Sequence, residues 1–370
     1  MKKTIIILTI FLLLSSSTLG VGIATYSLNR PFLGRNEEIS QTLVRIANDE
    51  DPNYNPNDYE FNPEDIELED DAFHGSGRLH FTEWWYFDAM FDNGYSAQMS
   101  IRLLSALNQG IVVTRLDIYK DGFLQSHNKR FYLMRNFFAS KDVPIIRLAG
   151  KEVMNGYTDE DTGEWVYDLS FEGRDASANL RFVGLTKGWK AQLPGGDWWG
   201  VILPRADVTG IITVNENAVE VHGVGYHDHN WGVTANAGIN FGWFWGKINS
   251  ANYTMTWSNI LKTRFINYPI LVINELDGDY FSIKAENIEF LTEDFWLDRV
   301  RRIPHSFALA ANNEEVTFYV NMEVIDVHHV RLMGMVNYWR YHIRCTGQLT
   351  IDTDTEPIDE IVMAELIRFR

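Results

Sequence analysis

Cysteine is almost absent from this 370-residue sequence. The single thiol, Cys345, excludes an internal disulfide framework, so stability must come from packing, and the residue itself reads as part of a core. Cations are also scarce. The 32 Lys and Arg stand against 50 Asp and Glu, a formal charge of -18. That balance opposes the clustered Lys and Arg that phosphate contacts need, and it excludes nucleic acid as a partner. The acidity is local: residues 37–71 hold thirteen Asp or Glu and one basic residue, Arg45, as a solvated spacer would. Long helices are missing too from the stretch that begins at Phe73. Only Ala285 to Arg302, with Ile288, Leu291 and Phe295 on one face, lets a helix compete with a strand.

One long hydrophobic run is present, at the start. Lys2 and Lys3 precede 24 uncharged residues, Thr4 to Ser27. This is an export signal, read equally well as a cleaved signal peptide or as a membrane anchor. Both readings make the chain exported and extracytoplasmic, either secreted or tethered by residues 1–27. Residues 28–72 read as an acidic linker with room for one short amphipathic helix through Ile39, Leu43 and Ile46.

From Phe73 onward, alternating aromatic and β-branched residues are broken at short intervals by Gly, Asn and Asp. The pattern predicts an all-β body of antiparallel strands. A faint repeat divides it. Trp85, Phe87, Tyr95 and Met99 recur 158 residues later as Trp243, Trp245, Tyr253 and Trp257, each set straddling a turn. Two similar β units, 73–235 and 236–370, follow from that spacing.

Aromatics form 14% of the chain, with 12 Trp, and they cluster. On a strand through Glu83-Trp84-Trp85-Tyr86-Phe87, residues Glu83, Trp85 and Phe87 face one way and Trp84 and Tyr86 the other, so both faces are covered. For one Trp a packed core explains this; for the whole set an aromatic-lined cavity for an apolar ligand does. A second cluster, Gly223 to Gly232, contains Tyr226-His227-Asp228-His229-Asn230-Trp231. His227, His229 and Trp231 share one face; Tyr226, Asp228 and Asn230 share the other.

His-x-His on a strand can begin a metal site, but no Asp, Glu or His occurs in Asn230 to Ile239 to complete it. Neither a metal nor another cofactor is expected. The residue types also suit metal-free proton chemistry, in which a His or a carboxylic acid protonates an alkene beneath aromatic faces. A structural role, with Asp228 holding a histidine or a turn, stays open. So does glycan chemistry, for which Glu83 and Asp228 are the carboxylate pair.

His80 to Phe87 followed by Gly225 to Gly232 resembles the carotenoid 1,2-hydratase (hydroxyneurosporene synthase) and AttH-like family. The resemblance implies two tandem lipocalin-like, calycin-type β-barrels and an isoprenoid or other lipid as the apolar partner. It maps the family's His-x-Trp element onto His229 and Trp231, whose face should look inward. The family's Tyr-x-Asp pair has no counterpart in Tyr253 to Asn259, which lacks a carboxylate. The expected catalytic residues are His229, Asp228 and Glu83. Ligand contacts are expected from Trp84, Trp85, Tyr86, Tyr226, His227, Trp231, Trp243, Trp245 and Trp257. The activity would be hydro-lyase or cyclase chemistry on a C=C bond; the alternative is a carrier with the same fold and no chemistry.

Overall fold

The computed structural model describes residues 60–75, 80–106, 109–193, 196–233, 242–262, 267–298, 301–332 and 336–369. The export segment, the short helix of the linker and the 235/236 boundary between the two β units lie outside them. Among the described residues no helix is long and apolar enough to cross a membrane.

Two antiparallel sheets make up the body, as expected for an all-β chain. In the first, hairpin His80–Phe91 and Tyr95–Ala106 continues outward through Gln109–Lys120 to Phe123–Leu133. On its other side His80–Phe91 pairs with Asn217–Val233, which leads through Trp198–Val214, Ala176–Gly184, Trp165–Glu172, Lys151–Thr158 and Ile145–Leu148 to Phe137–Ala139. The two ends of this row are joined by a single 3-10 turn, Met134–Asn136, so the sheet curls into a nearly closed barrel. The second sheet repeats the order as a half-barrel. Hairpin Gly242–Asn249 and Tyr253–Leu261 pairs through its first strand with the last strand, Asp354–Arg368. Ala285 to Arg302 resolves in favour of the strand: only Ala285–Asn287 turns as a 3-10 helix, and Ile288–Asp298 is extended.

Each sheet has its own interior, filled by alternate residues of long strands. Trp85, Phe87, Met99, Ile101 and Phe182 belong to the first. Trp257, Phe307, Trp339 and Tyr341 belong to the second, together with the buried Cys345. Fully burying a tryptophan such as Trp85 or Trp257 contributes about 4–6 kcal/mol at about 25 cal per Å². A third cluster, including Tyr86, Trp199, Tyr226, Trp245 and Ile270, draws on both sheets and forms the seam between them.

The repeat is real in topology but shifted by one residue on one strand. Four residues separate the last paired positions of the second hairpin, Asn249 and Thr254; five separate Met90 and Ser96 in the first. The 158-residue spacing therefore holds for Tyr95 and Tyr253 but becomes 159 on the preceding strands. The true counterpart of Trp243 is Trp84, that of Trp245 is Tyr86, and that of Lys247 is Asp88. Because side chains alternate, this one-residue difference turns Trp245 onto the seam, whereas Phe87 points into the barrel.

Part of the stretch read as linker is built into the fold. Glu64–Asp65 pairs with Lys190 and Trp189, and the 3-10 helix Leu68–Asp71 ends with Asp71 fully buried.

Candidate functional site

The strand Asn217–Val233 sets out two chemistries on its two faces, and glycines let it lie close to its neighbours. A Cβ on Gly225 would sit 2.4 Å from Phe182 Cε1 and 2.5 Å from Val208 Cγ2, so only glycine leaves room for those core side chains. Two residues further on, the inward face carries His227 and His229.

His229 and Glu83 come together inside the barrel, with Nε2 to Oε1 at 3.0 Å, and both are fully buried. Asp71 completes the group: its Oδ2 lies 3.0 Å from His227 Nε2 and its Oδ1 3.2 Å from His229 Nδ1. The remaining nitrogen of His227 faces the Tyr86 carbonyl at 2.9 Å. Backbone N–H groups of His74 and Gly75 donate to Glu83, and Trp85 Nε1 donates to the Asp71 carbonyl. Burial alone would pull the His229 pKa down, but its hydrogen bonds to Asp71 and Glu83 lift it to about 9. Burial likewise pushes Asp71 up, and the charges and hydrogen bonds of His227 and His229 more than reverse this, holding it at about 2. His229 is therefore an imidazolium enclosed by carboxylates. Trp231 lies at the edge of this group, stacked on His74 with ring centroids 4.3 Å apart and on Trp198 at 5.8 Å. Asp71 Oδ1 and His229 Nδ1 approach without a well-aligned hydrogen bond, and among the described residues no three His, Cys, Asp or Glu side chains are grouped to hold a metal ion.

Asp228 is on the other face, at the seam. Its Oδ2 accepts hydrogen bonds from Tyr226 at 3.0 Å and Trp199 Nε1 at 3.1 Å, and Oδ1 accepts from Asn230 at 3.2 Å. Burial outweighs these donors and raises its pKa to about 7, with the charges of Glu365 and Asp88 adding to the rise. Burial thus favours the protonated form of Asp228, within an aromatic layer. Tyr86 makes an edge contact with Trp245 at 5.3 Å, Tyr226 lies 4.9 Å from the same ring, and Arg102 lies over Trp84 at 4.6 Å.

Ions close the seam around this layer. Lys247 pairs with Asp88, and fully buried Arg340 reaches across to Asp117 at 2.6 Å while also contacting Glu365 at 3.4 Å. Ser96 and His342 bridge the sheets at 2.9 Å, and Tyr119 and His328 at 3.0 Å. Several buried seam atoms, including Gln98 Oε1, Thr256 Oγ1 and Trp245 Nε1, have no protein hydrogen-bond partner.

The expected site residues therefore separate into three places. Glu83, Trp85, His227, His229 and Trp231 serve the interior of the first barrel. Trp84, Tyr86, Tyr226, Asp228, Trp243 and Trp245 serve the seam. Trp257 is packed inside the second sheet. The face of His229 and Trp231 does look inward, as the resemblance implies. Two kinds of residue carry no mark in the sequence: Asp71 is one acid in an acidic run, and the seam ions meet only through pairing. Trp199, in the aromatic pair Trp198-Trp199, is brought to Asp228 because its strand pairs with Asn217–Val233. The second Tyr-x-Asp, Tyr86-Phe87-Asp88, was visible and repeats Tyr226-His227-Asp228.

The sequence matches no protein-family model and no curated protein. The fold is similar to that of a Nitrosomonas europaea protein assigned as an AttH, with a TM-score of 0.61 at 12% identity over 83% of this chain and 98% of that one. It is also similar to kievitone hydratase from Nectria haematococca, with a TM-score of 0.52 at 11% identity over 78% of this chain and 88% of that one. What this chain shares with both is the lipocalin-like architecture seen in AttH-type structures.

Proposed function

We propose that the chain binds a large apolar ligand of isoprenoid or polyene type against the aromatic seam, and that Asp228 protonates a C=C bond of that ligand. The observation that carries this reading is a buried carboxyl group that has only neutral hydrogen-bond donors, lies among Tyr86, Tyr226, Trp199 and Trp245, and has its pKa raised by burial to about 7. In the proposed step the Asp228 proton passes to one alkene carbon and leaves a cation on the other. Aromatic faces at the seam stabilise the cation. Water adds its oxygen to the cation and returns a proton to the carboxylate, giving an alcohol. The N–H of Trp199 and the O–H of Tyr226 already donate to Oδ2 of the carboxyl group, so the charge shared over the carboxylate once Oδ1 gives up its proton is met without rearrangement. His229 serves as a positioning residue, since both of its nitrogens face carboxylates inside the barrel. The similarity to a structure named as a hydratase is in keeping with this reading.

Incubating the full chain in mild detergent with candidate polyenes in D₂O should place deuterium on carbon in the product. Asp228→Asn should lower the rate by roughly 10²–10⁴-fold. Deuterium incorporation at the wild-type rate in that variant would remove Asp228 as the acid.

A carrier with no chemistry is the second reading. It is favoured by the seam strand Tyr253–Leu261, which carries no carboxylate to accept a proton from water. Native mass spectrometry of protein taken from its source separates the two, because a carrier retains unmodified lipid. The export-type segment supports a location outside the cytoplasm for either activity, as a secreted or membrane-tethered protein. Fractionation of cells making the full chain tests this, and a cytoplasmic location would overturn it.

A further inference from the structure

One patch of the seam gathers three cations, Arg102, Arg115 and Lys129, whose charges act on one another. Arg115 lies on the same cross-strand row as Asp228, in the order Asp228, Tyr86, Ser100, Arg115, Lys129 across five adjacent strands. Partners directly opposite in antiparallel strands project to the same side of the sheet, so all five share the seam face. Arg102 is the diagonal neighbour of Arg115, roughly 7–8 Å away between Cβ atoms.

Neither guanidinium has a carboxylate partner. Arg115 is 5% exposed and its Nη2 is buried without a hydrogen bond; its plane lies 5.7 Å from the centre of the Tyr338 ring. Half-buried Arg102 lies over Trp84. Half-buried Lys129 faces the Phe131 ring at 4.9 Å. Among the described residues no Asp or Glu forms an ion pair with any of the three.

The nearest acids are committed elsewhere. Asp117 is held by Arg340 and by His127, both at 2.6 Å. Glu365 is held by Arg340 and by the Tyr338 hydroxyl. The cations act on one another: burial first, and then the neighbouring Arg115 charge, hold the Arg102 pKa down at about 10 against the opposing pull of Glu365 and Asp228. Burial and both arginines also lower the pKa of Lys129. Uncompensated buried charge costs several kcal/mol per ion, so Arg115, buried without an ion pair and flanked by half-buried Arg102 and Lys129, is poised for an anion. Planar guanidinium forks match carboxylate and phosphate oxygens in particular.

We propose that Arg102 and Arg115, with Lys129 beside them, bind an anionic headgroup, a carboxylate or a phosphate ester, carried by the apolar ligand. The inference rests on the ligand-binding reading above and narrows it to anionic amphiphiles. Three strand spacings, about 14 Å, separate Arg115 from Asp228 along the row. A headgroup held at the arginines lays the chain of the ligand over Tyr86 and Trp84 and brings a bond remote from the headgroup to Asp228.

Affinities of the full chain should be measured by tryptophan quenching for two matched pairs, retinoate against retinol and farnesyl phosphate against farnesol. Each acid should bind at least about tenfold tighter than its alcohol, a difference of about 1.4 kcal/mol. The pair with the larger difference identifies carboxylate or phosphate as the preferred headgroup. The double change Arg102→Met, Arg115→Met should erase the preference while leaving alcohol binding within about threefold. Because this change removes buried charge, the variant should melt no lower than wild type. A variant that does melt lower is replaced by Arg102→Lys, Arg115→Lys, which keeps the charge, loses the planar fork and should retain only part of the preference. Equal binding of acids and alcohols by wild type overturns the anion site and leaves apolar binding intact. Failure of all four compounds to bind overturns both. A full preference surviving in the double variant assigns the headgroup to other residues and removes this proposal.

Discussion

Tyr86 stands directly opposite Asp228 on the adjacent antiparallel strand, and Asp88 stands opposite Tyr226 in the same way. Two Tyr-x-Asp pairs are thus laid head to tail on the seam, each phenol donating at 3.0 Å to the acid two residues along its own strand. The two acids nevertheless have different surroundings. Asp88 is matched by the Lys247 ammonium, whereas Asp228 has only neutral donors, and burial then leaves it as the acid that can hold a proton.

This difference gives stability a pH signature. The Asp228 pKa is raised from 3.8 to about 7 on folding. The stability it contributes is complete below about pH 4 and is lost as pH rises through about 7. Asp228→Asn does not titrate there. The variant should gain on wild type by about 4 kcal/mol between pH 4 and pH 7.5, measured by urea unfolding at several pH values. A gap between the two proteins that stays constant with pH would show that Asp228 is ionised throughout.

Asp71 and His229 carry signs opposite to each other, His229 sharing that of Asp228. The Asp71 contribution is complete above about pH 4 and is lost as pH falls through about 2; that of His229 is complete below about pH 6.5 and is lost as pH rises through about 9. Asp71→Ala should cost about 3–5 kcal/mol at pH 5.5, because it strips a buried partner from two histidines. The exposed pair of Arg344 and Asp359, at 2.7 Å, is the control: Asp359→Ala should cost at most about 1 kcal/mol. Equal costs for the two changes would mean that the barrel interior is not held by charge.

Arg340 ties the halves together. Replacing it with Met leaves Asp117 and Glu365 buried with one cation fewer between them, at a cost of about 3–5 kcal/mol. Calorimetry should then show two transitions in place of one, as the seam ceases to couple the sheets. A single transition displaced by less than about 1 kcal/mol would assign that coupling to the aromatic layer alone.

Much of the fold was legible because long strands with period-two alternation leave a clear trace. Trp85 and Phe87 inward, Trp84 and Tyr86 outward, follows from that rule alone, and so does the separation of Asp228 from His229. Grouping those two as one catalytic set ran against the same alternation. Ala285 to Arg302 misled because its apolar spacing suits a helix, while Ile288–Asp298 is fixed as strand by pairing with Arg301–Asn312. Asp71 was hidden by composition, since nothing in an acidic run marks the one member that folds inward. Arg102 and Arg115 were hidden by register: they become neighbours only when Tyr95–Ala106 pairs with Gln109–Lys120.

The one-residue difference between the hairpin turns has a further consequence. It makes Tyr86 and Trp245 counterparts, and these rings touch; it makes Asp88 and Lys247 counterparts, and these form an ion pair. The seam thus resembles a two-fold interface inside one chain, in which each position meets its own equivalent. Identical halves would press carboxylate on carboxylate or ammonium on ammonium at that point. Divergence between the halves is therefore a requirement of the join, and a charge reversal at residue 88 is tolerated only with the reverse change at residue 247.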